Sequence, residues 1–197
     1  MAGAAVALAL TAADPAACRA AAALFSGAEI RSLTRAELRP ATPFAGALFT
    51  ILAAQPRGAC VGLVAPIVWR GPSGPDEPAP PAPGDLVALT DHVNLELRGP
   101  LTGRWPDGVP RDFPSMTGVY QPLGVRPREG PRVYSSGVVA AGVADARRLT
   151  VFESRAVGAE GLHVVSDSLV PAAIVAAFHG LRLAACGLVQ APARDRE

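Results

Sequence analysis

Asp91 and His92 stand side by side in an apolar run, and an adjacent carboxylate and imidazole form a candidate acid–base pair. Neighbouring residues of a strand project to opposite faces, so the expectation is a structural role for both. The other two histidines, His163 and His179, sit beside a short apolar run and just before a glycine. His179 reads as a helix C-terminal residue, where the helix dipole favours a cation. Cys18, Cys60 and Cys186 are widely spaced and odd in number, with no Cys-x-x-Cys or Cys/His pair at metal-ligand spacing. They read as free thiols, and no metal or cofactor is expected. Ser135-Ser136-Gly137 lacks the Gly-x-Ser-x-Gly pattern of a nucleophile elbow. Ser166-Asp167-Ser168 reads as turn and cap chemistry. Arg126-Pro127-Arg128 with Arg132 forms a small basic cluster without interleaved aromatics, which fits a solvated loop better than a nucleic-acid surface.

These residues must be held by elements that the hydrophobic pattern outlines. Val6–Leu10 reads as a short buried strand, and Asp14-Pro15 opens an Ala-rich helix that ends near Gly27. Thr42-Pro43 opens a second helix running to about Ala54. Cys60–Trp69 is a continuous apolar run suited to a strand covered on both faces. Residues 71–84 are Pro-rich and exclude helix and inner strand. They read as a mobile or polyproline loop, with a ligand motif for proline-reading modules as the weaker alternative. Strands are expected at Asp85–Leu95, Arg132–Ala141, Gly161–Val165 and Leu181–Val189, with a loop-rich stretch over 98–131. Helices are expected at Asp145–Val157, with Leu149, Phe152 and Ala156 on one face, and at Leu169–His179, with Ser168 as cap and Gly180 as stop. This alternation gives an α/β fold with a mixed sheet flanked by helices, in one domain over 1–191 followed by a charged tail at 192–197.

With 197 residues, half of them hydrophobic, the chain is long enough for one well-buried core. The net charge of +1 provides no field that would draw it to nucleic acid or to an anionic membrane. No apolar stretch reaches the length of a membrane span. Residues 4–10 are apolar, but no Lys or Arg precedes them, so they read as a first strand rather than a secretory signal. Every basic residue is Arg, and Ala, Gly and Pro abound, a composition typical of GC-rich coding sequence.

Three ordered segments resemble the trimeric branch of the purine nucleoside phosphorylase family. Gly84-Asp85-Leu86-Val87-Ala88-Leu89-Thr90-Asp91-His92-Val93-Asn94-Leu95 is similar to that family's Gly-Asp-strand-Asp-His-Ile-Asn-Leu element. Asp112-Phe113-Pro114-Ser115-Met116-Thr117 is similar to its Arg-Phe-Pro-Ala-Met-Ser. Leu169-Val170-Pro171 through Ile174-Val175-Ala176 to Gly180-Leu181-Arg182 is similar to its Val-Pro-Glu-Val-Ile-Val-Ala…Gly-Leu-Arg helix and strand. The resemblance implies a phosphorylase-like fold.

The chemical positions do not follow. Where the family carries a Gly-Ser-Gly phosphate loop, this chain has Thr11-Ala12-Ala13. The Asn-Ala-Ala-Gly turn becomes Ala65-Pro66-Ile67-Val68, and the Arg-Phe-His segment has no counterpart. Asp145-Ala146-Arg147 stands near the purine-reading Glu, His163-Val164-Val165 replaces Gly-Met-Ser, and Gln190-Ala191 replaces Thr-Asn. The expectation is therefore a non-catalytic domain with no catalytic residues, acting as an interaction or regulatory module with a protein partner. The alternative is a cleft that still binds a nucleoside or nucleotide, for which Thr11, Asp145, Ser166 and Gln190 are the candidate polar contacts. An altered enzyme using Asp91, His92 or His163, and an exported protein, are further alternatives. The kept Phe-Pro-x-Met end of residues 98–116 leaves room for a homo-oligomer, since the family's trimers use that loop. In size and composition the chain is also similar to a small nuclear phosphoprotein family of GC-rich alphaherpesviruses, which implies a location in the host nucleus.

Overall fold

The computed structural model describes residues 6–10, 15–34, 37, 46–71, 79–96, 99–102, 112–123, 132–146 and 148–190. Seven strands and four helices lie within them. In chain order they are β1 (Val6–Leu10), α1 (Pro15–Leu24), β2 (Glu29–Leu33), α2 (Ala47–Ala53), β3 (Cys60–Trp69), β4 (Leu86–Asn94), β5 (Val133–Gly142), α3 (Val151–Ala159), β6 (Val164–Ser166), α4 (Leu169–Phe178) and β7 (Arg182–Val189). The α/β reading and the mixed sheet are both present.

β3 organises the sheet because it has three neighbours. Its first eight residues pair in parallel with β7, and Val61–Val64 pair in parallel with β1. Its last two residues, Val68 and Trp69, pair antiparallel with β6. β6 continues to β5, β5 to β4, and β4 returns antiparallel to β7. Five strands thus close into a ring, while β1 and β2 extend from β3 as a parallel flap.

Strand alternation sorts the core into layers. Leu8 and Leu10 of β1, Leu63, Ala65 and Ile67 of β3, and Leu183 and Ala185 of β7 share one cluster with Leu48 and Leu52 of α2 and the apolar face of α4. The intervening residues Ala9, Val64, Cys186 and Leu188 pack against Ala17, Ala20, Ala21 and Leu24 of α1. The small α1 side chains let that helix lie close to the sheet. The Phe25 ring that follows it rests on Gly62, where an added Cβ would come within 2.7 Å of the ring. Gly27 ends the segment with φ of 85°, and Gly180 ends α4 with φ of 69°, a backbone region glycine enters at little cost.

Three local readings need correction. β2 is a strand that the sequence does not announce: only Leu33 of its five residues is buried, and Glu29 pairs with Arg31 on the exposed side. The helix expected from Asp145 begins at Val151 instead, because Thr150 and Glu153 form a capping box. The Thr150 N–H donates to Glu153 Oε2 at 2.7 Å and the Glu153 N–H donates to Thr150 Oγ1 at 3.2 Å. Phe152 consequently falls on the solvent side, 81% exposed, and Val157 is the buried residue of α3. Ser168 precedes α4 but makes no side-chain cap bond, a role taken by Ser166. α2 is described only from Ala47, and Thr42-Pro43 lie outside the described residues. So do residues 72–78, Arg126-Pro127-Arg128 and the tail from 191. No helix among the described residues is long and apolar enough to cross a membrane.

Candidate functional site

The carboxyl end of β3 is where the strand adjoins β6 on one edge and β7 on the other. Successive carbonyls of a strand point to opposite sides, and the two carbonyls at this junction are both claimed. Pro66 O accepts the hydroxyl of Ser166 at 3.0 Å, and Ile67 O accepts the Gln190 backbone N–H at 2.8 Å. Ser166 and Gln190 therefore flank β3 on its two edges.

Ser166 is wholly buried. Besides donating to Pro66 O, its oxygen lies 3.3 Å from the Leu169 N–H and 3.4 Å from the Ser168 N–H, both of which donate to it. The Ser168 oxygen, also buried, faces it at 3.5 Å. One hydroxyl thus ties the start of α4 to the middle of β3, a satisfied buried group in an apolar setting. The adjoining backbone is equally closed. Val143 N–H donates to Ser166 O at 3.0 Å, and a Cβ at Gly142 would lie 2.3 Å from Val170 Cγ2. Only glycine at 142 lets α4 sit directly on the end of β5.

Of the four residues expected to meet a ligand, Thr11 lies outside the described residues. Asp145 comes two residues after Val143, whose N–H donates to Ser166 O. Its carboxylate lies 3.5 Å from Arg148 Nε, with side chains 27% and 86% exposed, a solvent-screened pair of small energetic weight. The Gln190 side chain reaches back to Leu188 O at 3.5 Å, a long contact. At the far end of β3, the Trp69 and His163 rings tilt against each other at 5.6 Å, and the Arg70 N–H donates to His163 O at 2.7 Å.

The architecture at this point can be compared with known molecules. A purine nucleoside phosphorylase from Schistosoma, solved with guanosine, matches at TM-score 0.51 and 20% identity, over 68% of this chain and 53% of its own. The apo methylthioadenosine phosphorylase of Schistosoma mansoni matches at TM-score 0.54 and 16% identity, over 83% of this chain and 65% of its own. The fold is nucleoside-phosphorylase-like. The chain spans between about half and two-thirds of the length of these relatives. No protein-family profile and no curated protein matches it, so the alphaherpesvirus resemblance finds no support there.

A second polar group lies away from this phosphorylase-like junction. His92 Nδ1 and Tyr120 Oη share a hydrogen bond of 2.8 Å, while Asp91 is exposed and accepts the His92 backbone N–H at 2.8 Å. Burial holds the His92 imidazole below its ordinary pKa of 6.5, partly opposed by the Asp91 charge. Burial, with Asp91 adding to it, pushes the Tyr120 phenol well up. The pair is neutral at physiological pH. Twenty-eight residues separate the partners, so no spacing motif points to Tyr120.

His179 departs from its expected dipole-stabilised state. Its ring is edge-on to Phe49 at 4.5 Å, and Nε2 is buried without a partner. Burial holds its pKa below the ordinary imidazole value, opposite in direction to the shift a helix C-terminus would give. The three cysteines are free, and burial pushes Cys186 up to about 12, leaving no thiolate at neutral pH. Among the described residues, no cluster of three His, Cys, Asp or Glu side chains could hold a metal ion.

Proposed function

We propose that this chain is a non-catalytic, phosphorylase-like domain that serves as an interaction or regulatory module. The observation that carries the reading is the commitment of the Ser166 hydroxyl to Pro66 O and to the start of α4. Phosphorolysis needs groups at the strand ends that are free to hold phosphate and to stabilise the departing base. Here a buried serine hydroxyl, the Pro66 and Ile67 carbonyls and the Val170 side chain knit the junction together instead. The substitution of Thr11-Ala12-Ala13 for a Gly-Ser-Gly loop supports the same reading. A nuclear, viral setting rests on composition alone, and imaging of the tagged chain in its native cell checks it. Proximity labelling with co-purification from that cell tests the module reading. A reproducible protein partner supports it, and co-purification of a small molecule with no protein partner opposes it.

A second reading keeps a ligand without the reaction. It is favoured by Asp145, a partly exposed carboxylate two residues beyond Val143, and by the guanosine-bound structure that shares the fold. Calorimetric titration with a nucleoside and nucleotide panel separates the two. Saturable heat that Asp145→Ala removes supports the second reading, and flat titrations leave the first.

A further inference from the structure

The Pro-rich segment before β4 takes no part in the junction described above. Its described portion is Ala79-Pro80-Pro81-Ala82-Pro83-Gly84. Proline fixes its own φ near −65°, and it drives the preceding residue into the extended region. Ala79, Pro80 and Ala82 each precede a proline, so covalent sterics impose polyproline II geometry on most of the segment. Ala82–Asp85 then forms a turn closed by the Asp85 N–H to Ala82 O at 2.9 Å, with Gly84 at φ of 94°. That is a type II turn with proline at its second position, whose conformation continues the same helix.

A polyproline II helix has three residues per turn and is triangular in section. Residues 79 and 82 form one ridge, 80 and 83 a second, and 81 and 84 the third. Burial marks the third ridge at Pro81. Ala79, Pro80, Ala82 and Pro83 are exposed, while Pro81 is buried. Gly84, on the ridge of Pro81, is exposed, but its N–H donates to Val189 O at 2.9 Å. The third ridge is thus fastened to the protein body through Pro81 and the Gly84 N–H, and an alanine ridge (Ala79, Ala82) and a proline ridge (Pro80, Pro83) face solvent. Asp85 Oδ2 accepts the Ala82 N–H at 2.8 Å and locks the segment from below.

We infer that Ala79-Pro80-Pro81-Ala82-Pro83 is a docking ridge for a protein domain with an aromatic-lined, polyproline-reading groove. Such grooves receive two adjacent ridges of a P-x-x-P helix and leave the third outside. The ridge turned away from a partner is here the one the protein itself anchors. Anchoring at Pro81 and through the Ala82–Asp85 turn removes part of the ordering cost that a free peptide would bear on binding. The inference deepens the interaction reading and rests on it, but the two fail separately: lack of docking leaves the non-catalytic claim untouched, because nucleoside turnover is measured independently.

The test is titration of the purified full chain against a panel of recombinant SH3 and WW domains. The expected result is saturable binding to at least one domain, weakened about tenfold or more by Pro80→Ala and by Pro83→Ala, the loss expected of a central interface contact. Thermal melting of each variant accompanies the titration and is expected to stay near that of the parent. Pro81→Ala tests the anchored ridge and is expected to shift melting more than either. Two results overturn the inference: no binding by the parent chain to any domain of the panel, or binding that Pro80→Ala and Pro83→Ala leave unchanged in folded protein.

Discussion

The two halves of β3 obey different rules. From Cys60 to Ala65 the strand is a repeating object, with alternate residues given to the α2/α4 layer and the α1 layer and parallel neighbours on both sides. Many apolar sequences of the right volume satisfy that arrangement. From Pro66 to Trp69 three of the four residues have an individual partner. Pro66 O takes the Ser166 hydroxyl, Ile67 O takes the Gln190 N–H, and Trp69 meets His163. The Ile67 side chain fills the place of a missing side chain at Gly187, where a Cβ would lie 2.6 Å from Ile67 Cδ1. The first half answers to the packing of two core layers, while in the second half Pro66 O and Ile67 O take partners from beyond the strand ladder.

The sharpest way to break the comparison is to hollow out the first half. Leu63 is fully buried, and Leu63→Ala is expected to destabilise the chain by about 2–5 kcal/mol, read by denaturant unfolding. In the second half, Ser166→Ala removes one donor from Pro66 O and one acceptor from two N–H groups. An expected loss of about 1–3 kcal/mol follows from leaving those groups unpaired. Ser168→Ala should cost less than about 1 kcal/mol, because its hydroxyl contributes only the long contact to Ser166. Equal losses from the two serines would undo the assignment of the cap to Ser166.

A pH titration of stability sharpens the contrast further. His179 and His92 are both lowered from 6.5 by burial, so the unfolded chain binds more protons than the folded one below that value. Stability is expected to be level above about pH 6.5 as far as these groups decide, and to fall as the pH drops from there through their lower folded values. His179→Phe should flatten part of that slope, which urea melts between pH 5 and 8 would reveal. The smallest effect is expected at Phe152. Being 81% exposed, its replacement by Ala should change stability by less than about 0.5 kcal/mol in the same assay.

What the sequence reveals follows the same division. β1, β3 and β7 are legible because both faces are buried and their apolar runs are unbroken. β2 is not, since it lies at the end of the strand order and its Glu-Ile-Arg-Ser-Leu pattern answers mostly to solvent. The start of α3 is written in the sequence as Thr150-x-x-Glu153, a signature that outranks apolar spacing because it fixes backbone donors directly. The candidate site is only partly legible. Ser166 and Gln190 can be named from the resemblance, but their shared dependence on β3 carbonyls comes from sheet closure, which no local pattern encodes. The His92–Tyr120 pair and the ridge exposure of the Pro-rich segment likewise emerge only once distant segments are brought together.

The central claim is that the phosphorylase-like architecture is kept while its chemistry is not. Its most direct test is release of free base from inosine, guanosine and methylthioadenosine by the purified full chain in phosphate buffer, followed over hours at high protein concentration. The account predicts no release above the protein-free rate. Release that scales with protein concentration and requires phosphate would contradict it.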